Sequence, residues 1–464
     1  MKILHVLANS SPDVNGYAVR TQMLLQFQNQ MEEIENLGLT SPWYPDRESM
    51  VTEHSMNSVR YLRTVHPSRK KNSKISHKLV HFFTRKPLLD KANTTKSVKK
   101  KIILLRIFDF FYYGVFKIGR AIRHFFRIGW KVIEEKILIK YFMRRIIQVA
   151  KEEDIDVIHA HTPYRVGLPA MRAARKLGLP FVYEMRGMWE ETAVANGRWM
   201  RNGPAYRRFQ RYETKVLQQA DRVICISKTL KEEAVSRGVD FRKISVVTNA
   251  VERGITEVSN DSSVYQTAKE QLDKNEASCV IGYIGSLREM EGVDLTAKAV
   301  AKLRENGHDV CFFVLTGETG QNELRRLCST LGIEKSAVIL GPVPHEEVAG
   351  FYSLIDIFVV SRPNTRVTQL VTPLKPFEAM AMGRTVIASK LAALEEIIQH
   401  EKTGLLYQPD DLEDLTRSIE KCIENPVLRE QLGKDAHDWV MENRTWDVVV
   451  KSTLEVYKNL NSRT

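Results

Sequence analysis

The sequence predicts an α/β protein with two doubly wound parallel sheets, and three observations support this fold class. The chain has 464 residues, which is long for one domain. Short, almost continuously apolar segments alternate with helical patterns, as expected for parallel strands that are covered on both faces. These segments form two series with a polar stretch between them. We therefore expect two Rossmann-like domains, each binding ligands at the carboxyl ends of its strands.

The first series starts with an apolar N-terminal segment, MKILHV, that fits a buried first strand. Helical patterns cover Ala170–Leu177 and Tyr206–Gln219, and no strand is predicted between Ser41 and Arg145. Four further strands are predicted, namely DVIHAH (Asp156–His161), PFVYE (Pro180–Glu184), RVICIS (Arg222–Ser227) and ISVVTN (Ile244–Asn249). These elements predict an N-terminal domain over residues 1–250.

The second series begins after the polar segment 251–276, which we interpret as a linker. Its predicted strands are CVIGYIG (Cys279–Gly285), VCFFVLTG (Val310–Gly317), AVILG (Ala337–Gly341), IDIFVVS (Ile355–Ser361), TVIAS (Thr385–Ser389) and GLLY (Gly404–Tyr407). They predict a second domain over residues 277–438.

The formal net charge of +13 originates in one segment. Between Arg60 and Arg145 there are 24 Lys and Arg residues but only four acidic ones. Apolar and aromatic residues recur there at helical spacing, which predicts a basic aromatic helical insertion at about residues 60–150. Two interpretations stay open: helices packed on the core, or a helix lying on an anionic membrane surface. Nucleic acid binding is disfavoured because no recognised module accompanies the charge.

Composition is typical of a folded soluble protein, with 43% hydrophobic and 27% charged residues. The five cysteines form no CxxC pair, as expected for reduced thiols in the cytoplasm. The N-terminal apolar run is too short for a signal peptide, and no apolar run is long enough to cross a membrane. We therefore expect a cytoplasmic protein.

Three candidate residues of the first series follow strand ends. Gly16 lies in a turn before a helix, where backbone N–H groups can approach a phosphate, although a plain connecting turn is the commoner explanation. His161 of HAHTP lies just past a strand, at the edge where ligands bind. His159 has the parity of a strand interior and is expected in the core. Arg186 of YEMRGMWEE could reach into a cleft.

The second series repeats the pattern of strand, glycine and helix. In GYIGSLREMEG, Gly285 ends a strand and Arg288 offers a bidentate guanidinium for a phosphate. In SRPNTRVTQLVTPLKPFEAMAMG, Arg366 and Lys375 precede a helix whose first turn carries Glu378.

Two features of that helix start are consistent with anion binding. Backbone N–H groups from Thr372 through Leu374 to Lys375 are candidates for holding an anion, aided by the helix dipole. Glu378 has a simpler role available, because an acid in the first turn stabilises the helix dipole by about 0.3–1 kcal/mol.

The combined motifs resemble the family-4 retaining glycosyltransferases of the GT-B fold. The resemblance rests on HAHTP, RVICISK, VVTNAVE, GYIGS with EGVDL, and PFEAMAMGRTVIAS followed by EEIIQHEKTGLLY. It covers nearly the whole chain apart from Ser41–Arg145. PLKPFEAMAMG also resembles a branch associated with bacterial polysaccharide assembly, in which a lysine stands three residues before the glutamate.

The resemblance implies two domains facing a cleft, with a nucleotide-sugar donor held mainly by the second domain. A C-terminal helix within residues 439–464 would cross back to the first. The residue matching Glu378 would bind the nucleotide ribose, and His161 would lie beside the transferred sugar, with Arg186 as a second catalytic candidate. The donor would most commonly be a UDP-sugar. Neither a metal nor another cofactor is implied as obligatory.

The sequence departs from the family pattern at three positions. Leu370 replaces the first glutamate of the usual pair, while Ser286 and Glu291 replace the usual Arg and Lys of the phosphate loop. Arg288, Arg366 and Lys375 supply three cations in the same loops, so we favour an active enzyme over an inactive paralogue.

The expected reaction transfers a sugar, with retention, to a hydroxyl of a glycan or lipid-linked acceptor, and the expected location is the inner face of the cell membrane. The alternatives are a soluble glycosyltransferase acting on a small metabolite, a sugar-nucleotide epimerase of the same fold, and a catalytically inactive scaffold.

Overall fold

The computed structural model describes residues 1–13, 15–44, 52–67, 131–256, 262–275 and 277–460. Within these residues it contains one eight-stranded and one six-stranded sheet. The predicted fold class, two doubly wound α/β domains, is confirmed. Among the described helices, none combines the length and apolarity that a membrane crossing needs.

The first domain has a mixed sheet in the order β3-β4-β2-β1-β5-β6-β7-β8, parallel except for the β3–β4 pair. Its elements are β1 (Lys2–Leu7), α1 (Gly16–Gln28), β2 (Glu35–Thr40), β3 (Glu53–Met56), β4 (Val59–Arg63), α2 (131–152), β5 (Val157–His161), α3 (Tyr164–Leu177), β6 (Phe181–Met185), α4 (Trp189–Ala195), α5 (Pro204–Gln219), β7 (Arg222–Cys225), α6 (Lys228–Ser236) and β8 (Ile244–Val246).

Strands β3 and β4 correct the prediction that Ser41–Arg145 contains no strand. They form an antiparallel hairpin at the edge of the sheet. The sequence of β3 is EHSM, and its residues are largely exposed. An edge strand of this kind lacks the apolar run that identifies a buried strand, so its pattern is weak.

The basic segment is only partly described, because residues 68–130 lie outside the described ranges. Helix α2 agrees with the helical pattern of the remainder. One face packs into the core of the first domain through Ile139, Phe142 and Ile146. The opposite face exposes Ile133 and Ile137, at 51% and 59% of their surfaces. Core packing therefore accounts for one face of α2 only.

The second domain is a parallel sheet in the order β11-β10-β9-β12-β13-β14. Its six strands lie within two residues of the predicted bounds. The elements are α7 (Ser263–Asp273), β9 (Cys279–Ile284), α8 (Val293–Glu305), β10 (Val310–Leu315), α9 (Gln321–Thr330), β11 (Ala337–Leu340), β12 (Ile357–Val360), α10 (Arg366–Leu370), α11 (Lys375–Ala381), β13 (Thr385–Ser389), α12 (Ala392–Glu395), β14 (Leu405–Tyr407), α13 (Leu412–Glu424), α14 (Pro426–Asn443) and α15 (Trp446–Lys458).

Helix α15 returns the chain to the first domain. Trp446 and Tyr457 belong to an apolar cluster with Leu24 of α1 and Ile3 of β1. The Tyr457 hydroxyl also lies 2.7 Å from His159 Nδ1. The C-terminal helix is therefore part of the first domain's core, although it follows the second domain in sequence.

Candidate active site

A buried charge cluster lies at the carboxyl edge of the first sheet. Glu184 on β6 is paired in register with His161 on β5, and its side chain is fully buried. Arg20 Nη2 lies 2.8 Å and Arg186 Nε 3.1 Å from Glu184 Oε1. Burial would raise the pKa of Glu184, but the Arg186 and Arg20 guanidiniums outweigh it and hold that pKa well below its usual range. Glu184 is therefore an anion at neutral pH.

Three histidines continue this cluster inward. His161 Nε2 lies 3.0 Å from His5 Nδ1, and His5 Nε2 lies 2.9 Å from Asn36 Oδ1. His161 Nδ1 lies 2.9 Å from Glu184 Oε2, an ion-pair distance with poor hydrogen-bond alignment. Burial lowers the pKa of His5 and His159 well below 6.5 and that of His161 to about 4. All three imidazoles are therefore neutral at pH 7.

These contacts place both predicted catalytic residues inside the first domain. His161 is 2% exposed, and its ring nitrogens face His5 and Glu184 rather than the cleft. Arg186 is 4% exposed and donates to the Tyr17 carbonyl at 3.1 Å and to Thr21 Oγ1 at 2.5 Å. Arg186 thus connects β6 to the start of α1.

The histidines could in principle hold a metal ion. Ligand nitrogens of His5, His159 and His161 lie within 4.8 Å of one another. The nearby guanidiniums of Arg20 and Arg186 already balance the charge of Glu184. A divalent cation would add positive charge beside two buried cations, so the electrostatics of this cluster disfavour a metal site.

The turn that starts α1 faces the second domain. Gly16 is exposed, and a methyl group added there would lie 3.7 Å from Leu374 Cδ1. Burial raises the pKa of the neighbouring Tyr17 to about 12, and Arg288 of the second domain opposes this shift. Arg288 is itself exposed. The glycine turns of the two domains therefore lie on opposite sides of one cleft.

Lys375 crosses the glycine turn that follows β9. Gly285 has φ of +143°, and a Cβ added there would lie 2.1 Å from Lys375 Cε. The Lys375 ammonium lies 5.1 Å from the centre of the Tyr283 ring and 3.0 Å from Glu291 Oε2. The turn favours glycine because L side chains rarely adopt this φ, and the lysine side chain fills the space beside it.

Glu378 lies one turn into α11. The Tyr352 hydroxyl donates a 2.7 Å hydrogen bond to Glu378 Oε2. Among the described residues, no hydrogen bond reaches Oε1. Thr372, just before the helix, accepts a 3.1 Å hydrogen bond at its carbonyl from Asn249 of the first domain. The loop before α11 is thereby anchored across the cleft.

Arg366 joins the two domains instead of facing the glycine turns. Its Nε lies 3.2 Å from Glu191 and its Nη2 2.7 Å from Glu233, both in the first domain. Glu396 adds a second bridge, because its carboxylate accepts from the backbone N–H groups of Lys228 and Thr229 at 2.7 Å each. We call the contacts of Arg366 and Glu396 the interdomain bridge. Arg366 is not assigned to the binding of the nucleotide-sugar donor.

Comparison with known proteins identifies the family. Residues 264–439 match the family described as Glycosyl transferases group 1, and residues 99–254 match the one described as Glycosyltransferase Family 4. Together the matches span more than two thirds of the chain. The chain belongs to the family-4 glycosyltransferases of the GT-B fold.

Three similar proteins illustrate the relationship. An uncharacterised glycosyltransferase of Methanocaldococcus jannaschii is 24% identical over 68% of this glycosyltransferase and 78% of the relative. A D-inositol 3-phosphate glycosyltransferase of Salinispora tropica is 25% identical over 65% of this chain and 63% of the relative. An Anabaena protein solved in complex with UDP-glucose has a TM-score of 0.62, with 15% identity and full coverage of both chains.

Several important residues of this glycosyltransferase carry no individual sequence signal. Arg20, which pairs with Glu184, lies one turn into an ordinary helix. Arg362, which pairs with Glu291, follows an apolar strand. Glu184 had a usable signal, because it ends the predicted strand PFVYE at the same sheet edge as His161. Glu291 was noticeable only as a departure from the family pattern.

The neutral histidines predict that acid destabilises the first domain. In the unfolded chain they regain a pKa near 6.5, so below that pH unfolding takes up protons. The free energy of unfolding should be highest above pH 6.5 and should fall as the pH drops towards 4. Chemical denaturation at about pH 7.5 and pH 5 measures this loss.

A matched pair of variants isolates the cluster. His161→Asn should reduce the acid-dependent loss of stability, whereas Val427→Asn, at an exposed site of the second domain, should not. Equal unfolding free energies at the two pH values would contradict the assignment of buried neutral imidazoles.

The interdomain bridge predicts that Arg366→Ala favours domain opening. In this variant Glu191 still pairs with Arg201, and Glu233 still pairs with Arg237. The free energy of unfolding should therefore fall by only about 1 kcal/mol or less, as for a partly exposed ion pair. Small-angle X-ray scattering should show a larger radius of gyration than for the wild type. Arg417→Ala is the control, because that arginine pairs within α13. Unchanged dimensions for Arg366→Ala would mean that the Arg366 contacts do not hold the domains together.

Proposed function

We propose that this glycosyltransferase is a retaining enzyme that transfers a sugar from a nucleotide diphosphate donor to a hydroxyl of a glycan or lipid-linked acceptor. The observation that carries the proposal is the cationic turn of Gly285 and Lys375. It lies at the carboxyl end of β9 and faces the Gly16 turn across the cleft. Ligands of open parallel sheets bind at this edge.

The chemistry requires stabilisation of a departing diphosphate. Negative charge builds up on the donor phosphate as its bond to the sugar breaks, and fixed cations nearby lower the barrier. Lys375, exposed Arg288 and the backbone N–H groups near Leu374 are the groups that we assign to this charge. The acceptor oxygen then bonds to the sugar on the face that the phosphate leaves, and a phosphate oxygen takes the acceptor proton. No metal is needed for these steps.

The donor is proposed to be a UDP-sugar. The similar Anabaena protein was solved with UDP-glucose, and the second domain here has a half-buried carboxylate, Glu378, that we assign to a ribose hydroxyl. Tyr352 holds one oxygen of Glu378 in place. The resemblance implies a carboxylate near the sugar at position 370, where this chain has Leu370, which packs against the core of the first domain. This exchange would favour a sugar that needs no acceptor of hydrogen bonds there.

The first domain is proposed to act on the acceptor side. His161 and Arg186 serve as positioning residues, because both are buried and both contact Glu184. Arg186 in turn holds the start of α1 beside Gly16. Closure of the domains, stabilised by the interdomain bridge, would exclude water and limit hydrolysis of the donor.

The exposed face of α2 supports a lipid-linked acceptor of polysaccharide assembly at an anionic membrane. Ile133 and Ile137 are exposed beside Lys136 and Lys140, which combines apolar and positive surface. A small soluble acceptor is the second candidate, and the similar D-inositol 3-phosphate glycosyltransferase favours it.

Two substitutions test the assignment of roles. Glu378→Ala should weaken binding of nucleoside diphosphates, because a ribose hydroxyl loses its acceptor, with a loss of about tenfold for a charge-assisted hydrogen bond. His161→Ala should leave nucleotide affinity nearly unchanged and reduce turnover. Calorimetry with UDP and a transfer assay separate these effects. The reverse pattern would refute the assignment, and donor conversion without an acceptor would indicate an epimerase.

Vesicle flotation tests the membrane proposal. The full chain should float with anionic vesicles at moderate salt but not with neutral ones. Ile137→Asp should reduce binding about tenfold, because burying an isoleucine contributes roughly 1.5–3 kcal/mol. Val427→Asp is the control, since Val427 is 77% exposed on the second domain. No flotation of the wild type would favour the soluble acceptor.

A further inference from the structure

Glu291 places a carboxylate where the proposed function needs positive charge. It ends the short 3-10 turn Glu289–Glu291 between β9 and α8, beside the Gly285 turn. Its side chain is only 8% exposed. A buried carboxylate is costly unless cations and hydrogen bonds compensate it, so its presence in this loop calls for a specific role.

Each oxygen of Glu291 contacts a different cation. Oε2 lies 3.0 Å from Lys375 Nζ, and Oε1 lies 3.4 Å from Arg362 Nη2. Arg362 is also buried, and its Nη1 donates a 3.0 Å hydrogen bond to the Val371 carbonyl. Glu291 therefore connects the loop after β9, the loop after β12 and the segment that enters α11.

The position of Lys375 depends on these contacts. Its side chain lies over Gly285, where a Cβ would collide with Cε, and its ammonium lies near the Tyr283 ring. Glu291 is the only carboxylate that forms an ion pair with Lys375 within the described residues. Without it, the ammonium would be a half-buried cation beside the Arg362 guanidinium, with no carboxylate paired to it among the described residues.

We propose that Glu291 is a positioning residue of the donor site, which holds Lys375 and Arg362 so that Lys375 meets the donor diphosphate beside Gly285. This inference rests on the proposed function. It also explains the departure from the family pattern. Where the family has a lysine, this chain has Glu291, and Lys375 supplies the cation that pairs with it. The pocket keeps its cation, which comes from α11 instead of from the loop after β9.

The pair also affects the protonation of Lys375. Burial lowers the pKa of Lys375, and the Arg362 guanidinium lowers that pKa further. The carboxylates of Glu291 and Glu378 raise the pKa of Lys375. The carboxylate itself stays ionised, because Arg362 and Lys375 outweigh its burial and lower the pKa of Glu291 to about 2. Removal of Glu291 should therefore let Lys375 lose its proton at a lower pH than in the wild type. Tyr283 and Arg288 complete the ionisable groups around the pair.

The test compares nucleotide affinities across pH. Calorimetry first finds which of UDP, GDP and ADP binds the wild type most tightly, and the matching monophosphate serves as the reference ligand. Glu291→Gln should weaken diphosphate binding about tenfold at neutral pH, as for loss of a charge-assisted contact. The loss should grow as the pH rises from about 7 to 9, while monophosphate binding stays unchanged. Glu291→Asp should restore part of the affinity.

The outcomes separate the two proposals. If none of the diphosphates binds the wild type, the proposed function fails. If the wild type binds one and Glu291→Gln has the same affinity and pH profile, the positioning role is overturned. Equal weakening of monophosphate and diphosphate binding would also overturn it, because that indicates general damage to the domain.

Two further experiments keep the inference testable if Glu291→Gln does not fold. The exchange Glu291→Lys with Lys375→Glu should recover diphosphate affinity that Glu291→Lys alone loses, and no recovery would contradict a coupled pair. Gly285→Ala should displace Lys375 and lower diphosphate affinity. Gly307→Ala, at a glycine that also has a positive φ (+92°) but no atom within 4 Å of an added Cβ, should not. Equal behaviour of the two glycine variants would argue against a fixed Lys375.

Discussion

The buried carboxylate of Glu184 is the constraint on which much of the molecule depends. An ionised group without solvent access needs fixed partners, and Arg20 and Arg186 supply them. Arg20 also donates to the carbonyls of Val247 and Thr248 and to Asn249 Oδ1, where the chain leaves the first domain. Asn249 in turn holds the Thr372 carbonyl. One compensated charge therefore links the first sheet, the domain connection and the loop that enters α11.

Each half of the cleft buries one glutamate anion between two cations. The first domain buries the anion Glu184 and surrounds it with cations, which leaves neutral histidines around it. In the second domain the anion Glu291 holds two cations, Lys375 and Arg362, close to the glycine turn. Arrangements of this kind set charges in place before a ligand binds, and preorganised charge is the main source of catalytic stabilisation in such sites.

Prediction from the sequence succeeded where local pattern and burial agree. The six strands of the second domain are apolar and buried, so their continuous apolar runs were decisive. Strand β3 was missed because EHSM is a polar edge strand. Strand β4, VRYLR, is mostly buried, but two arginines interrupt its apolar residues. Arg366 was assigned to the donor because it follows a strand and precedes the helix of Glu378, yet two carboxylates from the other domain bind it. No local signal distinguishes a cation that faces a ligand from one that bridges domains.

The sequence by itself determined the fold class, through apolar strands and helical patterns, and the family, through the resemblance of its motifs, because both are local properties of the chain. The loops assigned to the donor stay a prediction. Only the tertiary structure decided which side chains share a pocket. His161 was expected beside the sugar, but the packing of β1, β5 and β6 turns its ring towards His5 and Glu184. In the sequence, Glu291 indicated that a cation of the phosphate loop was lost, but the fold places the Lys375 ammonium beside it. Interactions between charges depend on distances in space, and residues 84 positions apart acquire such a distance only when the chain folds.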